Sequence, residues 1–224
     1  PFFVAPDFSY YPVTLSSSYD EANFYALRAN AAYRDQLLIG DVNLIEHSGG
    51  PAFLPILNPL IMGYLGKIFG SIHLGFIVSD FLFPLLIFLI LYFLALELLG
   101  SRLPALLFSI LFVFVPKIFI YLPPVSSLNL RELFYSIFPI FDAPQSLYFS
   151  RFEYPKVTFV FYALAFYFLL RSLKSDRKIY LYLSGLSFGA LFYTYLYDWA
   201  YFLVGLFIMA FIFLIQKNRQ ALKK

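Results

Sequence analysis

Residues 72–99 read IHLGFIVSDFLFPLLIFLILYFLALELL, an apolar run of helical length whose few polar side chains stand toward its two ends. About 20 apolar residues in a helix are enough to cross the hydrocarbon core of a bilayer. The run is therefore predicted to be one long, tilted transmembrane helix. Asp80 lies inside it, and an ionisable group in such a segment is expected to bond a neighbouring helix.

The composition of the whole chain indicates the same class of protein. Of its 224 residues, 61% are hydrophobic and 13% are charged, about half the charged share of a soluble domain. The sequence predicts an all-α, polytopic membrane protein with about five transmembrane helices. The net charge of +3 comes mostly from short basic loops, so it gives no reason to expect a nucleic-acid partner. The chain contains no cysteine, which excludes disulfides, thiolate metal sites and cysteine nucleophiles.

Further apolar runs, separated by short turns or polar segments, complete the predicted bundle. Residues 100–102 form a tight turn after the first span, and Asp198 with Trp199 marks a turn in the last long apolar stretch. Gly185 and Gly189 form a GxxxG motif that is expected to pack against another helix. The bundle is predicted over residues 72–224, with spans near 72–99, 103–121, 157–170, 179–196 and 200–215.

The basic residues give the bundle an orientation. When the spans alternate, Arg102, residues 171–178 and the tail at 217–224 fall on one side. The positive-inside rule makes that side cytoplasmic. Residues 1–71, a first loop with interfacial helices, and residues 122–156, a second loop, are then predicted on the extracytoplasmic side of the cell membrane.

Two adjacent acids, Asp20 and Glu21, open a predicted amphipathic helix in the stretch SSSYDEANFYAL (16–27). They fit a capping box in which Ser18 is the N-cap and Glu21 reaches back to it, while the helix dipole favours Asp20. A helix running to about Leu38 along the membrane surface would equally hold Asp20 as a reaction centre. The residues alone leave both interpretations open.

Three stretches in order carry a resemblance to a known family: YDEANFYALRANAAYRD (19–35), PAFLPILNPLIMGYLGKIFG (51–70), which reads as a second short interfacial helix, and SDFLFPLLIFLILYFLALELLGSRLPALLFSILFVFVP (79–116). Their order and spacing resemble the N-terminal half of GT-C membrane glycosyltransferases of the protein O-mannosyltransferase and aminoarabinose transferase group. The resemblance covers about residues 16–121. FSRFEYPKVTFVFYALAFYFLL (149–170) also resembles a loop-to-helix passage of uncharacterised members.

This resemblance implies an activity and a catalytic position. Members take a sugar from a polyprenyl-phosphate carrier and transfer it to an acceptor on the outer face; protein, lipid and glycan acceptors are all open here. The catalytic acid of their first outer loop is matched by Asp20, and its neighbour by Glu21. The usual first helix and the C-terminal half do not match anything in this sequence. The chain is therefore expected to be a fragment that is inactive by itself.

The chemistry of glycosyl transfer explains why such residues are needed. A carboxylate takes the proton of the acceptor hydroxyl as the new bond forms, and cations stabilise the phosphate that leaves. The second loop offers three cations for the donor phosphate, Arg151 first, then Arg131, with Lys156 beside them. Contact with lipid headgroups is the alternative interpretation of each.

Two further residues are candidate substrate contacts. His47 follows Glu46 in the loop EHSGGP, where it would contact the acceptor or simply decorate the loop. A divalent ion there is a further alternative, but no metal-binding spacing is present, so no metal site is predicted. Asp198, on the predicted outer side, would approach donor or acceptor, or else cap the helix that follows it.

Two other classes of protein stay as alternatives. A non-catalytic scaffold or lipid-binding membrane protein would keep the same spans without depending on Asp20. A transporter would place its charges within the spans, whereas the acids of this chain gather in the predicted outer segments.

Overall fold

The structure, a computed structural model, describes residues 25–37, 39–40, 55–114 and 156–215. These residues are 84% helical and form no strand, which confirms the predicted all-α class. Seven helices lie within them: α1 (Ala26–Tyr33), α2 (Leu57–Phe69), α3 (Ile72–Leu99), α4 (Arg102–Phe114), α5 (Thr158–Lys174), α6 (Lys178–Leu191) and α7 (Leu196–Ile215).

The long helix α3 is the centre of the fold. Its first turn is capped by Ser71, whose hydroxyl oxygen accepts a hydrogen bond from the Leu74 amide at 3.1 Å. It ends at Gly100, whose left-handed backbone (φ 69°) turns the chain directly into α4. Within the described residues, α3 is the one helix both long and apolar enough to cross a membrane, in agreement with the first predicted span. Two shorter apolar helices follow, at residues 102–113 and 197–212.

Ion pairs at both ends show that helices α3 and α5 run parallel. Lys156, just ahead of α5, pairs with Asp80 near the start of α3. At the far end, the Arg171 guanidinium lies 2.9 Å from the carboxylate of Glu97. We call the end that contains Lys156 the Lys156 end. We call the other the basic end, defined by Arg102, Arg171, Lys174, Arg177 and Lys178.

Helix α2 bridges the Lys156 end from the start of α3 to the α6–α7 turn. A methyl group built on Gly75 of α3 would lie only 2.6 Å from the backbone nitrogen of Gly66 in α2, so the two backbones touch. At the other end of α2, the Leu57 amide donates to the Tyr193 carbonyl at 2.9 Å. Asn58 adds a bond from its side-chain amide to the Thr194 carbonyl at 3.2 Å.

Helix α1 packs along α2 and joins the first loop to the bundle. A methyl group built on Gly63 of α2 would lie 2.7 Å from the side chain of Ala32. The buried guanidinium of Arg28 donates to the Pro55 carbonyl just before α2. Tyr25 packs against the main core, which also contains Val157 at the start of α5.

The structure corrects two predicted boundaries. The helix expected to run to about Leu38 ends at Tyr33, because Asp35 adopts a left-handed backbone (φ 70°), which Asp tolerates better than most residues. The turn expected at Asp198 lies instead at residues 192–195, and Asp198 belongs to the first turn of α7. An acid is stabilised there by the helix dipole, which explains the difference.

The described residues test only some of the other predictions. Helix α2 matches the short helix expected within residues 51–70. A methyl group built on Gly185 or Gly189 has no neighbour within 4 Å, so no part of the chain that the structure describes packs on the GxxxG motif. Most of the first and second loops lies outside the described residues.

The contact between α2 and α3 leads to a test. Gly75→Ala forces a methyl group against the α2 backbone and should lower the free energy of unfolding by about 1 to 3 kcal/mol. Gly185→Ala is the matched control, since its methyl group meets open space and alanine favours a helix. Unfolding of the detergent-solubilised protein measures both. An equal stability of the two variants would contradict the close α2–α3 contact.

Candidate functional site

A buried polar cluster occupies the Lys156 end of the bundle. Its centre is the three-residue stretch Lys156, Val157 and Thr158, each 0% exposed. Two acids from other helices reach this stretch: Asp80 from α3 and Asp198 from α7. The cluster therefore ties three helices together in apolar surroundings, where an unpaired charge would be strongly unfavourable.

The Lys156 ammonium is bonded on α3. Its nitrogen donates to the Ser79 hydroxyl at 2.8 Å and forms an ion pair with the Asp80 carboxylate. Ser79 in turn donates to the Phe76 carbonyl at 2.7 Å, so the serine accepts and donates at once. Burial lowers the pKa of the Lys156 ammonium, and the negative charge of Asp80 opposes that shift. Lys156 depends on Asp80 to remain charged inside the protein.

The second acid of the cluster attaches α7 to α5. Asp198 is buried in the first turn of α7, and its carboxylate is hydrogen-bonded to the Thr158 side chain. One turn further along α5, the ring of Tyr162 makes an edge contact with Phe202, with 5.6 Å between their centroids. These contacts show that α5 and α7 also run parallel from the Lys156 end.

The structure places two of the predicted site residues, Lys156 and Asp198, and brings both to one stretch of chain. The sequence predicted neither Ser79 nor Thr158 as their partners. The sequence carries part of the signal for the Asp80 pairing, since an ionisable group inside an apolar run is expected to bond a neighbouring helix, but it does not name the partner. The remaining candidates lie outside the described residues: Asp20, Glu21, His47, Arg131 and Arg151.

At the basic end, some cations are paired with an acid, and the cations outnumber the acids. Glu97 accepts from Arg171 and lies 3.5 Å from the Lys174 ammonium. Arg177 and Lys178 lie beside these residues, at a cavity of about 410 Å³ under the α5–α6 turn. Five cations and two acids, Glu97 and Asp176, therefore occupy this end among the described residues.

The described ranges contain no group of three or more His, Asp or Glu side chains arranged to hold a metal ion. The alternative metal site at Glu46 and His47 lies beyond those ranges. What the cluster at the Lys156 end provides is a fixed, charged and water-poor joint. It holds the last residue of the second loop firmly against α3.

The buried ion pair leads to a second test. Asp80→Asn leaves the Lys156 ammonium buried without a counter-charge and should lower the free energy of unfolding by about 3 to 5 kcal/mol. The double variant Asp80→Leu with Lys156→Met removes both charges and should recover most of that loss.

Lys67→Met is the control, because Lys67 pairs with Asp35 at the surface and its loss should be under about 1 kcal/mol. Chemical unfolding in detergent measures all three variants. If Asp80→Asn were as mild as Lys67→Met, the pair would not be buried in the folded protein.

Comparison with known proteins gives no relative: no protein family, no curated protein and no solved structure matches this chain. The resemblance to GT-C glycosyltransferases therefore depends on the quoted sequence stretches.

Proposed function

We propose that the chain is the core of a multi-pass membrane protein, with α3 to α7 as its five spans. The outward sides of α4, α6 and α7 support this arrangement, because they expose large apolar side chains such as Leu107, Leu186 and Phe207. Water would disfavour such surfaces, whereas lipid accommodates them. The excess of cations at the basic end supports a cytoplasmic location for that end.

We further propose that the protein transfers a sugar from a polyprenyl-phosphate donor to an acceptor on the outer face. The observation that carries this proposal is that both outer loops lead into one core: Tyr25 and Val157 pack in the same buried cluster. Asp20 precedes Tyr25 by five residues, and Arg151 precedes Lys156 by five. Five residues reach at most about 18 Å. Chain connectivity thus favours a catalytic carboxylate and a phosphate-binding cation on one side of the membrane.

The roles follow from the chemistry. As the acceptor oxygen bonds to the anomeric carbon, Asp20 takes its proton, and the bond to the lipid phosphate breaks. Arg151, aided by Arg131, stabilises the negative charge that builds on the leaving phosphate. In the predicted capping box Glu21 would reach back to Ser18 beside Asp20, and His47 is proposed to contact the acceptor.

Lys156 and Asp198 enter this proposal as positioning residues. Lys156 is paired with Asp80 in the interior, so it fixes the end of the loop that contains Arg151. Asp198, bonded to Thr158, holds the adjoining turn of α5. The predicted contact of Lys156 with the donor, and that of Asp198 with donor or acceptor, stay predictions.

A second candidate function is ion-coupled transport. The Asp80–Lys156 pair favours it, because ionisable pairs within membrane-spanning helices mark ion pathways in transporters. The two functions differ in which acid is essential. Sugar transfer needs Asp20, whereas a transport pathway through the bundle needs Asp80.

A transfer assay separates them. With a polyprenyl-phosphate sugar and full-length protein, Asp20→Asn should lower turnover by about 100-fold or more, since the amide cannot accept the proton. Glu21→Gln should have a small effect, because glutamine also serves a capping box. Undiminished turnover in Asp20→Asn would remove this residue from the mechanism.

The absence of cysteine from the chain allows a clean test of orientation. Ser17→Cys lies in the first loop, and Ser101→Cys lies in the exposed turn after α3. In intact cells, a maleimide that cannot cross membranes should label the Ser17→Cys variant and not the Ser101→Cys variant. Inverted vesicles should give the opposite pattern. Labelling of both sites from one side would contradict the proposed orientation.

A further inference from the structure

The cavity at the basic end has a charged floor that the proposed sugar transfer does not use. It is open to the surface and has a volume of about 410 Å³ between the last turn of α5 and the first turn of α6. Its lining contains two cations, Arg177 and Lys178, and one acid, Asp176. The lining is therefore positive by one charge. Neighbouring Arg171 is already neutralised by Glu97, so it adds little to this excess.

A hydroxyl group stands beside these cations. The Ser175 oxygen accepts a hydrogen bond from the Arg177 amide at 3.3 Å. A serine hydroxyl can accept and donate at once, so this group can also donate to a phosphate oxygen. Two cations and a hydroxyl donor are the groups that commonly bind the oxygens of a phosphate.

The other wall of the cavity is apolar and leads away along α6. Leu181 and Tyr182 line the cavity, and Tyr182 is 69% exposed. Leu186, one turn further, is 73% exposed on the same side of the helix. A ligand that fills this space would thus have a charged head and a long apolar tail.

We propose that this cavity binds the phosphate of an anionic phospholipid, with Arg177 and Lys178 as its cationic ligands and α6 along its acyl chains. The inference rests on the membrane bundle of the proposed function but not on sugar transfer. A free phosphate would use the cations alone, whereas a phospholipid uses both walls. The cytoplasmic leaflet, where the basic end is proposed to lie, supplies anionic headgroups that attract such cations.

The test measures which lipid the protein retains. Full-length protein is placed in nanodiscs of equal parts phosphatidylglycerol and phosphatidylcholine, released, and weighed with its bound lipids by native mass spectrometry. Wild type should retain phosphatidylglycerol in preference. In the double variant Arg177→Gln with Lys178→Gln, the preference for phosphatidylglycerol over phosphatidylcholine should fall about fivefold for each charge removed.

Two other variants make the result specific. Arg34→Gln with Lys67→Gln removes the same charges at one exposed and one half-buried position of the Lys156 end and should leave the preference unchanged. Asp176→Asn removes the acid of the cavity and should strengthen the preference, which keeps the test decisive if the double variant folds poorly. An unchanged preference in Asp176→Asn, or in the cavity double variant where that variant folds, would overturn the site.

Competition identifies the ligand class. Inorganic phosphate at millimolar concentration should not displace the retained phosphatidylglycerol, since it lacks a tail for the α6 wall. Displacement by phosphate alone would overturn the phospholipid assignment. These readouts need no sugar donor. Undiminished turnover of Asp20→Asn in the transfer assay would therefore contradict sugar transfer without changing the lipid result.

Discussion

The buried ion pair between Lys156 and Asp80 is the interaction on which the rest of the bundle depends. Both groups lie in apolar surroundings, with side chains 0% and 2% exposed, so neither can be solvated by water. Each charge is tolerated only because the other is present. The pair fixes the start of α5 against α3, and the Thr158–Asp198 bond then fixes α7 against α5. One ion pair and one hydrogen bond thus hold three parallel helices in register at one end.

The contact of α2 with α3 plays the complementary role for the first loop. Two glycines, Gly66 and Gly75, let the backbones touch where any larger residue would separate them. Helix α2 can then lie across the Lys156 end and bond to the carbonyl groups of the α6–α7 turn. Because α1 packs along α2, the segment that follows Asp20 is joined to the same end as the segment that follows Arg151.

The sequence predicted the elements of this fold better than their contacts. Apolar runs are local, so α3 and the hairpin with α4 could be read directly from residues 72–114. The partner of Asp80 could not be named in advance, because Lys156 is 76 positions away and only the register of α3 on α5 brings them together. The predicted start of α7 is wrong because Asp198 is expected to mark a turn, although acids also favour a first helical turn. Apart from Lys156, the predicted site residues of the two loops lie outside the described residues, so their convergence stays a prediction.

The two ion pairs between α3 and α5 also have a mechanical consequence. Seventeen residues separate Asp80 from Glu97, and fifteen separate Lys156 from Arg171, which correspond to about 25 Å and 23 Å of helix. Two parallel helices that are joined by ion pairs at nearly matching intervals cannot slide along each other without breaking those pairs. Helices α3 and α5 are therefore held in register at both ends, and a relative slide of the two requires both ion pairs to break.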